Sequence, residues 1–219
     1  MHGVATIVFF KRLITGKVKT RLASQIGHRA ALLIYKAMIR DLMRNLHPLL
    51  GEIFAFEDSG EDKPDVELVN LIGSAPLVQR GNDLGERMCE AFIRVFGTGV
   101  RRALLIGSDI PHITAQLIEC FFFALDDYPL VLGPAEDGGY YLIGFREDTF
   151  SEDLFKDVHW STQMVLEQTL SKACRNGLNP YLGEKMRDID MLEDLEAVLN
   201  DSSTARLLPE TYTAFRNLR

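Results

Sequence analysis

Residues 11–21 contain five basic side chains and no acid, directly after an apolar run that ends at Phe10. Lysine supplies a point charge and arginine a planar fork, and both suit phosphate oxygens. Gly16 lets backbone amides approach a ligand closely. This basic segment is therefore a candidate clamp for a di- or triphosphate. A solvated basic loop, or a loop that binds RNA, is the alternative, and the segment alone favours neither interpretation.

Asp109 follows the clearest predicted buried strand of the chain, residues 103–106, within Gly-Ser-Asp-Ile-Pro. A carboxylate at that position can reach a divalent metal held between phosphate oxygens, because Mg²⁺ and Mn²⁺ prefer oxygen ligands. The alternative is that it caps the next helix, a role that Ser108 or Thr114 would fill equally well. We favour the metal-binding role for Asp109.

Residues 133–141 read Gly-Pro-Ala-Glu-Asp-Gly-Gly-Tyr-Tyr. A hairpin turn alone would explain the Asp-Gly pair. The flanking residues indicate more: glycines that let a ligand lie against the backbone, aromatic rings that stack on a sugar or base, and acids that bind hydroxyls or act as a base. The residue types alone do not show which residue takes which of these roles.

Two further segments combine acids with helix signals. Asp190 precedes Glu193 at a spacing typical of a helix N-terminus, which still allows the Asp190 carboxylate to be a second metal ligand. Asp83 and Glu86 fit a capping box, and Arg87 lies one turn further on, within reach of a cleft. For these last residues capping is the stronger interpretation.

Strands and helices must alternate to position these segments. Apolar runs and periodicity predict strands at 6–10, 53–56, 77–79, 103–106, 130–132 and 140–145, and helices at 29–46, 66–72, 84–96, 114–125, 161–173, 188–199 and 204–217, with a loop up to about residue 26. Alternation favours an α/β fold with a largely parallel sheet and helices on both faces. The loops after Phe10, Ile106 and Leu132 should then open into one cleft at the carboxyl ends of the strands.

Composition narrows the classes of function. The chain has 219 residues, a formal net charge of −7 and three well-separated cysteines. We expect one domain over residues 1–219, a reducing cytoplasmic location, no signal peptide, no membrane span and no nucleic-acid partner. An anionic ligand then has to be held by a local basic feature.

Taken together, the segments resemble the bacterial DUF2064 family of the nucleotide-diphospho-sugar transferase superfamily. The motifs occur in the same order, as K-x-x-x-x-G-x-V-K-T-R-L-A from residue 11, G-x-D-L-G-E-R from 81, G-S-D-x-P from 107, G-P-A-x-D-G-G-Y-Y-L-I-G from 133, W-S-T from 160 and D-I-D-x-x-E-D-L from 188. Leu13 stands where the family usually has Pro, and Met191 where it usually has Thr. Neither change removes a charged group.

The resemblance implies a GT-A fold, a three-layer sandwich with a mostly parallel central sheet. It also implies that Lys19 and Arg21 contact phosphates and that Asp109 holds a metal, with Asp190 completing the metal site. The turn at residues 137–139 would face the acceptor or sugar. The full set of expected site residues comprises Asp137 and Asp109 as catalytic, Lys11, Gly16, Lys19, Thr20, Arg21 and Arg87 for the nucleotide, Asp109 and Asp190 for the metal, and Glu136, Gly138, Gly139, Tyr140 and Trp160 for the acceptor or sugar.

We therefore expect a transferase that uses Mg²⁺ or Mn²⁺ and a nucleotide-diphospho-sugar donor. Its acceptor is a small molecule that the sequence does not identify, and a homodimer is a candidate assembly. One alternative is a nucleotidyltransferase acting on a phosphorylated small molecule, since the Lys-x-Arg-Leu run also resembles that of the phospholactate guanylyltransferases. Another is a nucleotide- or RNA-binding protein without catalysis.

Overall fold

The computed structural model describes residues 3–49, 51–58 and 63–218. In this part of the chain one sheet has the strand order β3-β2-β1-β4-β6-β5-β7. The strands are β1 (Val4–Lys11), β2 (Glu52–Asp58), β3 (Leu77–Val78), β4 (Arg102–Gly107), β5 (Leu130–Pro134), β6 (Tyr140–Arg146) and β7 (Pro180–Leu182). Neighbouring strands run parallel except at β6, which is antiparallel to both β4 and β5. The predicted α/β class with a mostly parallel central sheet is confirmed.

Helices cover both faces of this sheet. They are α1 (Thr20–Ile26), α2 (His28–Leu46), α3 (Val66–Ile72), α4 (Leu84–Phe96), α5 (Ala115–Asp127), α6 (Val165–Arg175), α7 (Leu192–Asn200), α8 (Ser202–Ala205) and α9 (Pro209–Arg216). Successive side chains of a strand point to opposite faces. Val8 and Phe10 of β1 accordingly pack with α2, α3 and α5, whereas Ile7 and Phe9 pack with α4 and α6. A third apolar cluster joins α1, α7 and the outer side of α2.

The carboxyl ends of the parallel strands meet at one edge of the sheet. In register, Lys11 of β1 lies beside Asp58 of β2, and Phe9 lies beside Gly107 of β4. Because β6 is antiparallel to both β4 and β5, β5 ends at this same edge and β6 begins there. The loops after β1, β4 and β5 therefore open together, as predicted. β1 has β2 on one side and β4 on the other, which makes this edge a topological switch point.

Several predicted boundaries were wrong. The predicted loop up to residue 26 ends in α1, a seven-residue helix that is too short to show periodicity but buries Leu22 and Ala23. The predicted final helix is instead split into α8 and α9 because Pro209 starts a new helix and disfavours helical geometry at Leu208. α6 starts at Val165, four residues later than predicted. None of the helices in the described ranges is both long and apolar enough to cross a membrane.

Stability should fall in mild acid because of His112 in the loop between β4 and α5. The side chain is 8% exposed, and its Nδ1 has no hydrogen-bond partner among the described residues. Burial lowers the pKa of His112 from 6.5 to about 4, against the opposing charge of Asp201. The unfolded chain thus takes up the proton first. The associated stability is complete above pH 6.5 and is lost as the pH falls towards 4.

His112→Gln should reduce the loss of unfolding free energy between about pH 7.5 and pH 5 by roughly 1–2 kcal/mol. Urea denaturation at the two pH values measures this loss. His47→Gln, at the exposed end of α2, is the control substitution. Equal losses in the wild type and in His112→Gln would contradict the assignment.

Candidate active site

An ion pair joins the basic segment to the acid that follows β4. Lys19 Nζ lies 2.6 Å from Asp109 Oδ1, with the lysine side chain 3% exposed and the aspartate side chain 46% exposed. The same ammonium donates to the carbonyl of Ile189. The Ile189 N–H in turn donates to the Asp109 carbonyl at 2.9 Å. Lys19 therefore connects three segments that are distant in sequence.

The backbone at Lys19 is unusual for a residue with a side chain. It lies in the left-handed region, with φ 47° and ψ 49°, immediately before α1. A non-glycine residue in this region costs on the order of 1–2 kcal/mol, and such strain persists only where the surroundings impose it. Here the buried ion pair and the bond to the Ile189 carbonyl hold the side chain in place.

A second ion pair lies beside the first. Arg21, in the first turn of α1, donates from Nη1 to Asp190 Oδ2 at 2.9 Å, and both side chains are well exposed. Asp190 does not cap α7, contrary to its helix-start signature. Asp194 Oδ2 instead accepts from the N–H groups of Asp190 and Met191 at 3.2 and 2.9 Å. Arg21 and Asp109 thus lie on the same side of the molecule, linked through Lys19 and residues 189–190.

The charges of two other carboxyl groups act on Asp188 in this region. Burial alone would raise the pKa of Asp109, but the charge and hydrogen bond of Lys19, followed by the charge of Lys11, hold it below its usual value. Burial, the charge of Asp137 and the charge of Asp109 raise the pKa of Asp188 to about 6. Asp109, Asp137 and Asp188 therefore share one electrostatic environment, although each comes from a different loop.

Asp190 was predicted to be a metal ligand, whereas Asp188 was not. The two acids are two residues apart in the Asp-Ile-Asp run and equivalent by type. Only their tertiary contacts distinguish them. Asp190 forms an ion pair with Arg21, whereas the charges of Asp137 and Asp109 raise the pKa of Asp188.

Tyr35 of α2 is buried beneath this site. Its hydroxyl accepts from the Lys11 N–H at 2.9 Å and shares a 2.8 Å hydrogen bond with Ser108 Oγ. Burial, followed by the charge of Asp109, raises the pKa of Tyr35, so its hydroxyl stays protonated. Tyr35 therefore ties the end of β1 to the loop after β4. No sequence signal separates it from an ordinary core residue of α2.

Other residues of the predicted nucleotide site also lie along this edge. Lys11 ends β1 and is exposed, and Thr20 is exposed at the start of α1. Gly16 has φ +85°, a value that favours glycine. Arg87 pairs with Asp58 at the end of β2, at 3.0 Å from Nη1 to Oδ1. Because Asp58 lies beside Lys11 in the sheet, Arg87 is brought to the same edge.

The turn between β5 and β6 holds the predicted acceptor residues. Asp137 Oδ1 accepts from the Gly139 N–H at 2.8 Å. Gly138 has φ +92°, and a Cβ there would collide with the carbonyl oxygen of Gln163. Glu136 forms two contacts with Arg187, at 2.8 Å to Nε and 2.7 Å to Nη2.

Tyr140 and Trp160, the two aromatic residues predicted to contact the acceptor or sugar, are partly buried. Both pack against the apolar cluster on the α4 and α6 side of the sheet. Burial raises the pKa of Tyr140, with the Thr169 hydroxyl opposing this effect. The Trp160 ring lies so close to Gly85 that a Cβ on this glycine would come within 2.6 Å of it. Both rings thus help to fix the start of α4 and the turn before β6.

The acids of this edge fit one particular mode of metal binding. Within the described ranges, no group of three or more His, Cys, Asp or Glu residues could by itself hold a metal ion. Mg²⁺, however, is usually bound by one or two carboxylates together with substrate phosphates. Asp109 is partly exposed and ionised, and Asp188 stands in its electrostatic neighbourhood. The donor set therefore fits a hard cation whose remaining ligands come from a nucleotide.

Comparison with known proteins agrees with this geometry. The chain has the fold of nucleotide-diphospho-sugar transferases, since it aligns with a candidate transferase of that class from Desulfovibrio desulfuricans G20 at a TM-score of 0.89 and 32% identity, over 100% of this chain and 99% of the other. The profile of the family described as "Uncharacterized protein conserved in bacteria (DUF2064)" matches residues 52–162. The chain therefore belongs to the DUF2064 family.

More distant structures share the fold alone. CMP:2-keto-3-deoxy-manno-octonic acid synthetase, solved with CTP, aligns with a TM-score of 0.57 and 14% identity, over 94% of this chain and 99% of the other. Glucosyl-3-phosphoglycerate synthase from Mycobacterium tuberculosis, solved with Mg²⁺ and UDP, aligns with a TM-score of 0.53 and 11% identity, over 95% and 79% of the two chains. A search of curated proteins finds no match.

Gly138→Ala should destabilise the protein more than Gly99→Ala does. Both glycines have left-handed backbones, with φ +92° and +93°, so both variants carry a similar conformational strain. Only a Cβ at Gly138 would collide with backbone, at Gln163, whereas a Cβ at Gly99 meets nothing within 4 Å. We expect an additional loss of about 1–3 kcal/mol for Gly138→Ala, measured by urea unfolding. Equal losses would contradict the close approach of the turn to Gln163.

Proposed function

We propose that the protein is a metal-dependent transferase that moves a sugar from a nucleotide-diphospho-sugar donor to a small-molecule acceptor. The observation that carries this proposal is the placement of Lys19, Arg21 and Asp109 together at the carboxyl edge of the sheet. Glycosyl transfer leaves negative charge on the departing nucleoside diphosphate. Fixed cations and a metal held at that position stabilise this charge.

The donor side of the site is cationic. Arg21 is exposed and can present its planar fork to phosphate oxygens, and Lys11 adds a charge at the end of β1. Lys19 has three N–H donors, and its contacts with Asp109 and Ile189 account for two of them. Gly16 and Thr20 would offer backbone and hydroxyl contacts, and Arg87 would lie on the β2 side.

Asp109 would hold the metal together with Asp188 or Asp190. The metal would supply charge neutralisation to the departing diphosphate. Asp190 is already paired with Arg21, whereas Asp188 has an acidic neighbourhood that a cation would relieve. We therefore add Asp188 to the ligands proposed from the sequence.

The acceptor side of the site is acidic. The turn at residues 136–139 exposes Glu136 and Asp137 beside Asp188. Asp137 would accept the proton of the attacking hydroxyl. Gly138 and Gly139 would let the sugar lie against backbone. Tyr140 and Trp160 would support this turn from the α4 and α6 side of the sheet.

Nucleotidyl transfer to a phosphorylated small molecule is the second candidate function. The observation in its favour is the number of cations along the edge, Lys11, Lys19, Arg21 and Arg87, which suits a triphosphate. Binding without catalysis, to a nucleotide or to RNA, is less consistent with three carboxyl groups that share one environment.

Asp109→Asn should abolish the metal-dependent part of ligand stabilisation. A ligand at about 100 times its Kd adds about 2.7 kcal/mol, which thermal unfolding detects readily. The measurement compares nucleotide-sugars with and without Mn²⁺, each relative to the same variant without ligand, because the substitution leaves the buried Lys19 without its charged partner. Asp153→Asn, at an exposed pair with Lys156, is the control and should keep the full effect. A metal-dependent shift that survives in Asp109→Asn would exclude Asp109 as a ligand.

The products distinguish the two candidate reactions. Phosphorus NMR of the protein with Mg²⁺, which is diamagnetic, and a panel of nucleotide-sugars should show a nucleoside diphosphate being released, with water serving as a slow acceptor. Asp137→Asn should slow this release at least about 100-fold, because proton transfer by a positioned base contributes that much. Pyrophosphate release from a nucleoside triphosphate, with all nucleotide-sugars left intact, would overturn glycosyl transfer and support nucleotidyl transfer.

A further inference from the structure

The ammonium of Lys19 occupies an oxygen of the acid that we assign to the metal. Nζ is 2.6 Å from Asp109 Oδ1, and the lysine side chain is 3% exposed, so solvent screens this charge very little. A divalent cation that approaches Asp109 therefore meets a fixed positive charge at close range. Coulomb repulsion at such a distance opposes binding of a bare cation.

The position of Lys19 is held firmly. The Ile189 carbonyl accepts a second hydrogen bond from the ammonium, and the Ile189 N–H bonds back to the loop of Asp109. Lys19 is buried and has a left-handed backbone, whereas Lys17, two residues earlier, is exposed. Withdrawal of the ammonium would break both contacts, so it cannot simply move away when a cation arrives.

We propose that Lys19 is a positioning residue that makes metal binding depend on the nucleotide. Alone, the protein binds a divalent cation weakly, because Asp109 is already neutralised by Lys19. A polyphosphate brings negative charge to the remaining donor of Lys19 and to Arg21, and this charge offsets the repulsion. Metal and nucleotide then bind together, with Asp109 held in place. The inference rests on the proposed function, since it requires the same polyphosphate site.

The test measures Mn²⁺ binding to the full chain without nucleotide, by the electron paramagnetic resonance signal of free Mn²⁺. Lys19→Gln removes the charge and retains an N–H donor for the Ile189 carbonyl, whereas Lys19→Met removes both. Each variant should bind Mn²⁺ at least about tenfold more tightly than the wild type. Structural damage to the site would weaken Mn²⁺ binding. A gain in Mn²⁺ affinity therefore indicates that the Lys19 charge opposes the ion, and not that the substitution has damaged the site. Circular dichroism confirms the fold of each variant.

Lys36→Gln is the matched control. Lys36 Nζ lies 2.7 Å from Glu67 Oε1 between α2 and α3, so this change also removes a lysine from a lysine–carboxylate pair. It should leave Mn²⁺ affinity unchanged. The double variant Lys19→Gln/Asp109→Asn should lose the gain, which locates the added binding at Asp109.

Three outcomes overturn the proposal. An unchanged or weaker Mn²⁺ affinity in folded Lys19→Gln overturns the inference and leaves the proposed function standing. A gain that persists in the double variant places the ion elsewhere and also overturns it. Absence of Mn²⁺ binding in every protein, with nucleoside diphosphates present as well, overturns the metal site of the proposed function together with this inference.

Discussion

The buried contact between Lys19 and Asp109 is the constraint on which the site depends. A lysine that is almost fully enclosed needs a charged partner, because an unpaired charge held away from water is costly. The pair can form only if the segment after β1 returns over the end of β4. The additional bond from Lys19 to Ile189 brings the segment before α7 to the same point. One ammonium thus determines how three loops meet.

This arrangement explains how an acidic protein can present a site for an anion. The formal net charge is −7, yet the exposed cations of the β1 loop and α1 lie on one side of Asp109. Asp137 and Asp188 add negative charge to the same region. The site therefore combines a group of cations with a group of acids around Asp109. A donor that is anionic at one end and rich in hydroxyls at the other matches this combination.

Much of the fold was predictable because burial determines the spacing of apolar residues and the length of apolar runs in the sequence. The apolar run at 103–106 became β4, and the stripe of residues 84–96 became α4 without any change of bounds. Convergence of the loops followed from the alternation of strands and helices alone. α1 was missed because seven residues are too few to display a period. The candidate site residues were selected by type, and the sequence did not predict how they pair in the structure. The roles of Asp188 and Tyr35 depend on contacts between segments that no local pattern records.

In the proposed site, the basic segment and Asp109 act on one polyphosphate through a shared ion. Crystals grown with Mn²⁺ and a nucleoside diphosphate, measured at the manganese absorption edge, test it most directly. We expect an anomalous peak at coordination distance from the Asp109 carboxylate, with phosphate oxygens on the same ion and within hydrogen-bond reach of Arg21. A manganese peak remote from Asp109, or a diphosphate bound away from Arg21, would contradict it.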